Sequence, residues 1–550
     1  MTSGSELSDT LEALRAELQR LAPWGTPALE RVEALWALQE RLVAERDRYH
    51  ALYLDLLERC KKLERGIMGP KSERLDPGDA QLTLALLGTL LGHRAPAAQE
   101  SPAPEPQTQA IAAYTRQRPT GRNPLPEHLP RVDLEILPDE VQQQGLAAFE
   151  RIGQEVSEVV ERRPGSLVVV RVIRPKFVRR DRPPHAPTCV QIAEPPDLPI
   201  ERGLAGPGLL ADTLVKRWQD HLPLHRQEQI WAREGLELAR STICGWHAQL
   251  AGLARPLIEA MWQDALTSPY LCTDATGVLV QAPQHCRTGH FWVVVAPERH
   301  VLFGYSPRHD AQAVDRLLAD YAGYLVADAH AVYDHLYRSG RVVEVGCWSH
   351  ARRYFFQSLS SEPERARQAL AFIGALFELE RKLAPEPSRK RRLFRQEQSR
   401  PIVEQFFGWC DAQVDQVLDD TPIARAVRYA RNQRQALGRF LEDGRLPLHN
   451  NGSELELRRQ KVGAKNWLFV GNDEAAEVNT SFVSLLASAR LHDLEPWAYL
   501  RDLLCLLPRW PHRRVLELAP ASWSETLPRP ETQQRLAANV FRPLTMRASP

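Results

Sequence analysis

The chain has 550 residues, too long for a single hydrophobic core, so about three or four units are expected. Its 43% hydrophobic and 25% charged residues are those of an ordinary soluble globular protein. Seventy basic residues balance 69 acidic ones, so any affinity for a polyanion must come from local basic faces.

In chain order, residues 1–90 read as a helical region. Leu35, Leu38, Leu42, Tyr49, Leu52, Leu56 and Leu63 follow a three-four spacing broken at Glu45 and Arg59. This predicts a coiled coil and self-association, as a homodimer or larger; an amphipathic helix packed on its own chain is the plainer alternative. Residues 91–122, around Ala95–Pro106, are rich in proline and poor in large apolar side chains, the composition of a linker. A small domain at 123–200 contains one clear strand, Leu167–Ile173. Residues 201–265 then turn helical. His225–Leu236 runs through a short polar turn into Ala239–Trp246, with Ser241 or Thr242 placed to cap a second helix. That layout is helix-turn-helix-like, with Arg240, Ser241 and Thr242 as candidate DNA contacts; helical hairpins that bind no DNA share it.

The region 266–500 carries the chemistry. Tyr270–Asp274 and Tyr324–Asp328 are apolar strands that each stop on an aspartate. Between them Val278–Gln281, His290–Val295 and Val301–Tyr305 read as three successive antiparallel strands, followed by a helix at Ala311–Tyr321. Ala331–Ser339 is helix-like and Val342–Cys347 a further strand. The order βββαβαβ is that of a ribonuclease H-like core, whose first and fourth strands are neighbours, which sets Asp274 beside Asp328. Glu454, in His449-Asn450-Asn451-Gly452-Ser453-Glu454, opens a later helix and supplies a third carboxylate. Three such acids can hold two divalent cations, Mg2+ or Mn2+, for phosphodiester chemistry. Against this, Asp310, Asp334 and Glu456 are rival acids, and Asn451-x-x-Glu454 also fits a helix capping box. Ser388–Arg395 and the series Arg425, Arg428, Arg431, Arg434 are candidate basic faces or simply solvated helix surface. Residues 501–550 are taken as a C-terminal tail.

Eight cysteines without a Cys-x-x-Cys pair argue against a disulfide framework and a zinc knuckle, and for a reducing cytoplasm. Met1–Glu6 lacks a basic head, and no run approaches the roughly 18 apolar residues of a membrane span. Neither export nor a membrane partner is expected.

At these residues the chain resembles the insertion sequence 66 family of bacterial transposases. The resemblance rests on Asn450–Glu454 continuing through Gly463–Gly471 to Ser484–Arg490, and on the block Cys347-Trp348-Ser349-His350-Ala351-Arg352-Arg353. Gly69–Leu75, Gly121–Arg131 and His221–Glu228 extend it across most of the chain, to about Trp523. It implies a multidomain α/β protein with a DDE catalytic core at 266–500. The catalytic and metal-holding trio then falls on Asp274, Asp328 and Glu454, and a helical insertion at about 356–445 precedes the glutamate. It implies supporting roles for Cys347, His350, Asn450 and Asn451, and DNA contacts at Arg352, Arg353, Arg458 and Lys465. The implied activity is metal-dependent strand cleavage at mobile-element ends followed by transfer of the 3′ hydroxyl into target DNA, with small accessory proteins as possible partners. A stand-alone nuclease and a catalytically silent DNA-binding relic are the alternatives; a glycosidase using paired acids is remoter.

Two departures from the family pattern matter. Its four-cysteine zinc segment has no counterpart in Leu137–Pro187, which lacks cysteine, so zinc is doubtful. Its aspartate before the paired asparagines is His449 here.

Overall fold

The computed structural model describes residues 36–50, 52–53, 125, 127, 129–163, 166–180 and 190–545. The expected linker and the later part of the expected coiled coil lie outside these residues. The chain divides into two compact units, one of Met1–Gln109 with Trp348–Leu448, the other of Ala110–Cys347 with His449–Pro550. Residues 36–50 and 52–53 are helical, and Leu38, Leu42, Tyr49 and Leu52 on them are exposed.

The second unit starts with a sheet of β1 (Arg131–Glu135), β2 (Phe149–Arg163), β3 (Ser166–Arg179) and the short β4 (Gln191–Ile192). β3 is central, parallel to β1 and antiparallel to β2. Its valine run is explained by burial on both faces: Val169 joins the main core, while Val168, Val170 and Val172 pack with Phe541. The sequence showed only this strand, because polar residues fill much of β2. At the other end of β2 and β3, Val141, Phe149 and Phe177 form a separate apolar cluster.

Helices α1 (Pro207–Trp218), α2 (Leu224–Arg233) and α3 (Arg240–Ala265) follow. The start of α1 meets Glu161, whose fully buried carboxylate accepts hydrogen bonds from the Arg162 and Leu209 backbone N–H groups at 2.7 and 2.8 Å. A Cβ at Gly206 or Gly208 would run into that carboxylate, so both positions need glycine. Helix α3 begins earlier than the sequence suggested. Its N-cap is Ala239, and Ser241 and Thr242 sit exposed in its first turn without capping it.

The five-stranded sheet has the order β7-β6-β5-β8-β9, from β5 (Tyr270–Val280), β6 (Arg287–Ala296), β7 (His300–Ser306), β8 (Gly323–Val326) and β9 (Val342–Val345). β5 is antiparallel to β6 and parallel to β8. Tyr270–Asp274 and Val278–Gln281 are not separate strands. Ala275, Thr276 and Gly277 stay paired with β6, so one strand runs past Asp274. Helix α4 (Ala311–Leu318) joins β7 to β8 and is capped by the Asp310 carboxylate, which accepts from Ala313 N–H at 3.0 Å.

The first unit's helical part is built from Trp348–Gln357, Pro363–Leu383, Arg400–Gln413 and Pro422–Asn432. Trp348 is fully buried against Phe406, Phe407 and Phe440. The expected basic face at Ser388–Arg395 is only partly one, because Arg395 is 1% exposed. Arg395 binds both oxygens of Glu380, at 2.7 and 2.6 Å, and donates to the carbonyls of Phe440, Asp443 and Leu446. Arg431 and Arg434 share the one carboxylate of Asp411 and Arg428 lies 3.6 Å from Asp419, so that arginine series is neutralised only in part.

Helices α5 (Asn451–Trp467), α6 (Asp473–Leu491) and α7 (Pro496–Leu506) complete the second unit's main elements. Ser484 and Ser488 of α6 hydrogen-bond the outward backbone of β7: Phe303 N–H donates to Ser484 Oγ at 2.8 Å, and Val301 N–H to Ser488 Oγ at 3.0 Å. Residues 501–545 are largely helical and packed, not a tail. Pro496, Pro520 and Pro530 stand at helix starts, where a missing N–H costs nothing, and Tyr499, Trp523 and Leu536 join the main core.

Candidate active site

Cys272 on β5 pairs in register with Val326 on β8. Asp274 and Asp328 each lie two residues beyond that pair, so neighbouring parallel strands deliver the two aspartates at equivalent positions. Both are half-buried. Asp274 Oδ1 accepts from Ala275 N–H at 2.7 Å. The buried Tyr333 feels the charge of both: burial drives its phenol pKa upward, the Asp328 and Asp274 charges push the same way, and the Thr273 hydroxyl opposes them. One phenol therefore senses two carboxylates.

The third acid arrives on α5. Asn450, fully buried, is the N-cap residue, yet its side chain makes no cap bond. Its amide instead donates to the Thr273 carbonyl at 2.7 Å, one residue before Asp274. Its backbone N–H donates to Cys347 Sγ at 3.2 Å, just past β9. Ser453 Oγ donates to the Asn450 carbonyl at 2.9 Å and holds the turn. At the other end, Val470 N–H donates to Leu279 O at 2.9 Å and Gln281 N–H to Val470 O at 2.8 Å. The helix carrying Glu454 is thus tied at both ends to the strand carrying Asp274.

This register also rules out the capping-box reading of Glu454. With Asn450 as N-cap, Ser453 occupies the position a capping-box glutamate would need, and Glu454 falls one residue too late. Glu456 is committed elsewhere, at 2.9 Å from Arg459 and 3.3 Å from Arg490. Asp310 is occupied as the α4 cap.

Of the other expected site residues, Asn451 is exposed and its N–H meets His449 Nδ1 at 3.3 Å. Cys347 is fully buried and serves as the acceptor for Asn450. His350, Arg352 and Arg353 lie on the helix Trp348–Gln357, with Arg352 over the Phe356 ring at 5.4 Å. Arg240 pairs with Glu228 at 3.0 Å. Arg458 and Lys465 are exposed on α5. Lys461 falls between them, with Nζ 3.5 Å from the Gly277 carbonyl. The sequence reading missed Lys461, although its seven-residue offset from Glu454 places it on the same side of the helix. It also missed Tyr333 and Thr273, whose importance depends on pairings the sequence does not display.

The three acids offer oxygen donors alone, the chemistry that hard divalent cations select. Among the described residues, no group of three or more His, Cys, Asp or Glu side chains is gathered so as to hold a metal ion. No helix among them is long and apolar enough to cross a membrane.

Comparison with known proteins matches residues 202–478 to the family described as Transposase IS66 family. Residues 55–134 match Transposase C of IS166 homeodomain, and 484–521 the IS66 C-terminal element. Among similar proteins of Sinorhizobium fredii (strain NBRC 101917 / NGR234), "Uncharacterized protein y4qI" is 28% identical over 94% of this chain and 97% of its own length. "Uncharacterized protein y4hP" is 28% identical over 84% of this chain and 88% of its own. The first match covers just over half of the residues and includes both aspartates, Glu454 and the Asn450 anchor. On that ground the chain belongs to the IS66 transposase family.

Proposed function

We propose that this protein is a DDE transposase with a ribonuclease H-like core, cutting DNA at the ends of its element and joining the freed 3′ hydroxyl to target DNA. The observation that carries the reading is the hydrogen bond from Asn450 to the Thr273 carbonyl, which brings the Glu454 helix to the level of Asp274. Asp274, Asp328 and Glu454 would hold Mg2+ or Mn2+, which when bound supplies positive charge to counter that developing on a phosphodiester in transit. The chain's own groups orient and bind. Tyr333 and Thr273 fix the aspartate side of the site, Asn450 fixes the helix, and Arg458, Lys461 and Lys465 offer cations to DNA phosphates. The pair α2 and α3 is proposed to contribute further DNA contacts. Self-association is supported by the exposed Leu38, Leu42, Tyr49 and Leu52.

The test uses the full-length protein with a labelled duplex spanning the boundary of its own element. Asp274→Asn, Asp328→Asn and Glu454→Gln should each abolish Mg2+-dependent nicking and the joining of a pre-cut 3′ end, while leaving duplex binding unchanged. Cleavage that survives all three substitutions refutes the proposal. Hydrolysis without any joining would reduce it to a nuclease.

A further inference from the structure

A groove of about 860 Å3 opens at the outer end of β6, lined by Arg287, Thr288, Arg308, Asp310, Gln312 and Arg316 among others. Its charges are not equivalent. Arg287 is taken up by Asp473, which also accepts from the Tyr305 hydroxyl. Asp310 spends its carboxylate on the α4 cap. Arg308 and Arg316 are exposed and, among the described residues, make no ion pair. With Arg287 paired to Asp473, the Arg308 and Arg316 guanidinium groups face the single Asp310 carboxylate, which leaves an excess of positive charge in the cavity beside a hydroxyl and an amide, a set suited to phosphate oxygens.

The loop that presents Arg308 is held in place. Trp292 Nε1–H donates to Ser306 Oγ at 2.8 Å, and Ser306 Oγ–H donates to the Arg308 carbonyl at 2.5 Å. His309 lies flat on the buried Trp292 ring, with centroids 4.8 Å apart and planes at 6°. His330 meets the His309 ring edge-on at 4.5 Å, and His330 stands two residues after Asp328. A packed chain of aromatic rings thus joins the groove to the aspartate side of the candidate active site.

A second connection runs to the glutamate side. Lys461 reaches the Gly277 carbonyl; Gly277 pairs with His290, and two residues along the same ladder Leu279 pairs with Thr288, at the groove. Arg458, Lys461, His290, Thr288, Arg308 and Arg316 therefore follow one another from Glu454 outward.

We propose that this groove binds the sugar-phosphate backbone of the element-end DNA beyond the position where it is cut, with Arg308 and Arg316 each contacting a phosphate. The continuity with the basic side of α5 favours end DNA over target DNA as its occupant. The inference rests on the transposase reading and names a substrate contact which that reading does not contain.

The probe is a fluorescent duplex spanning the element boundary, titrated with full-length protein by anisotropy at several salt concentrations. The double variants Arg308→Glu/Arg316→Glu and Arg308→Gln/Arg316→Gln should bind about tenfold or more weakly at ~0.1 M salt, and their log–log salt slope should flatten by about two. Both sites are exposed, and an unchanged melting temperature would exclude misfolding; the milder glutamine pair serves if the glutamate pair melts early. Wild-type affinity and slope in the glutamine pair overturn the proposal. So does normal binding of end DNA with loss only of target capture in a joining assay. Asp274→Asn separates the two ideas: intact cleavage in that variant refutes the chemistry but not the groove, whereas lost cleavage together with unimpaired groove variants refutes the groove alone.

Discussion

The Asn450 side-chain amide reaches the backbone carbonyl of Thr273 at 2.7 Å, and both residues are buried. A residue at a helix N-cap ordinarily accepts a backbone N–H through its side-chain oxygen; here that oxygen accepts from the Ser453 hydroxyl instead, while the amide nitrogen crosses to β5. One side chain thus engages the helix's first turn and ties it to the sheet.

Asn450→Ala should therefore harm geometry as well as stability. It leaves the Thr273 carbonyl buried without its donor, a loss of about 1–3 kcal/mol. Cleavage by the folded variant should drop by at least about tenfold, since small misplacements of reacting groups are costly. Thermal melting and single-turnover cleavage measured side by side would check this; a folded variant cutting at the wild-type rate would contradict the positioning role.

Glu454→Gln and Glu456→Gln should separate cleanly. The first is expected to remove cleavage with little change in melting temperature. The second breaks contacts with Arg459 and Arg490 and should lower stability while cleavage persists. The reverse pattern would move the catalytic assignment to Glu456.

Glu161 makes stability fall with pH. Burial pushes its carboxyl up to about 8, against the backbone N–H donors of Arg162, Leu209 and Gly208 and the nearby charge of Arg501, which all act downward. The folded state therefore keeps a proton that the unfolded chain, with the ordinary value of 4.5, releases. Stability is greatest below about pH 4.5 as far as this group is concerned, declines as pH rises towards 8, and is level above it. The decline is on the order of a few kcal/mol. Denaturant melts of Glu161→Gln between those limits should lack this slope.

Arg395 is expected to be the first unit's most sensitive charged position. Arg395→Met removes every hydrogen bond to Glu380 and to the Phe440, Asp443 and Leu446 carbonyls, leaving a half-buried carboxylate and three carbonyls without it. A loss of roughly 3–5 kcal/mol follows. Limited proteolysis should then cut within 363–446 well before it cuts the β5–β9 sheet.

The sequence was most readable where one physical signal dominated. Apolar runs closing on Asp274 and Asp328 marked β5 and β8, and their shared register follows from parallel pairing. The stretch between β9 and Glu454 announced itself through arginine-rich helices, although Arg395 turned out to be buried structure and not surface. Strand β2 was hidden because Glu150, Arg151, Gln154 and Glu155 supply polar side chains to its exposed portion. Residues 501–550 read as a tail in the sequence, yet Pro520 and Pro530 occupy the first turns of packed helices, which only the following helix reveals. Asn450 was visible only as a neighbour of Glu454, since nothing local indicates that its partner is Thr273.

The hydroxyls of Ser484 and Ser488 have a consequence for how copies of this protein can meet. By engaging the N–H groups of Val301 and Phe303, they occupy the border where a stranger's strand would otherwise be zipped on. A second copy of this chain therefore cannot lengthen the sheet across that side into a continuous ribbon.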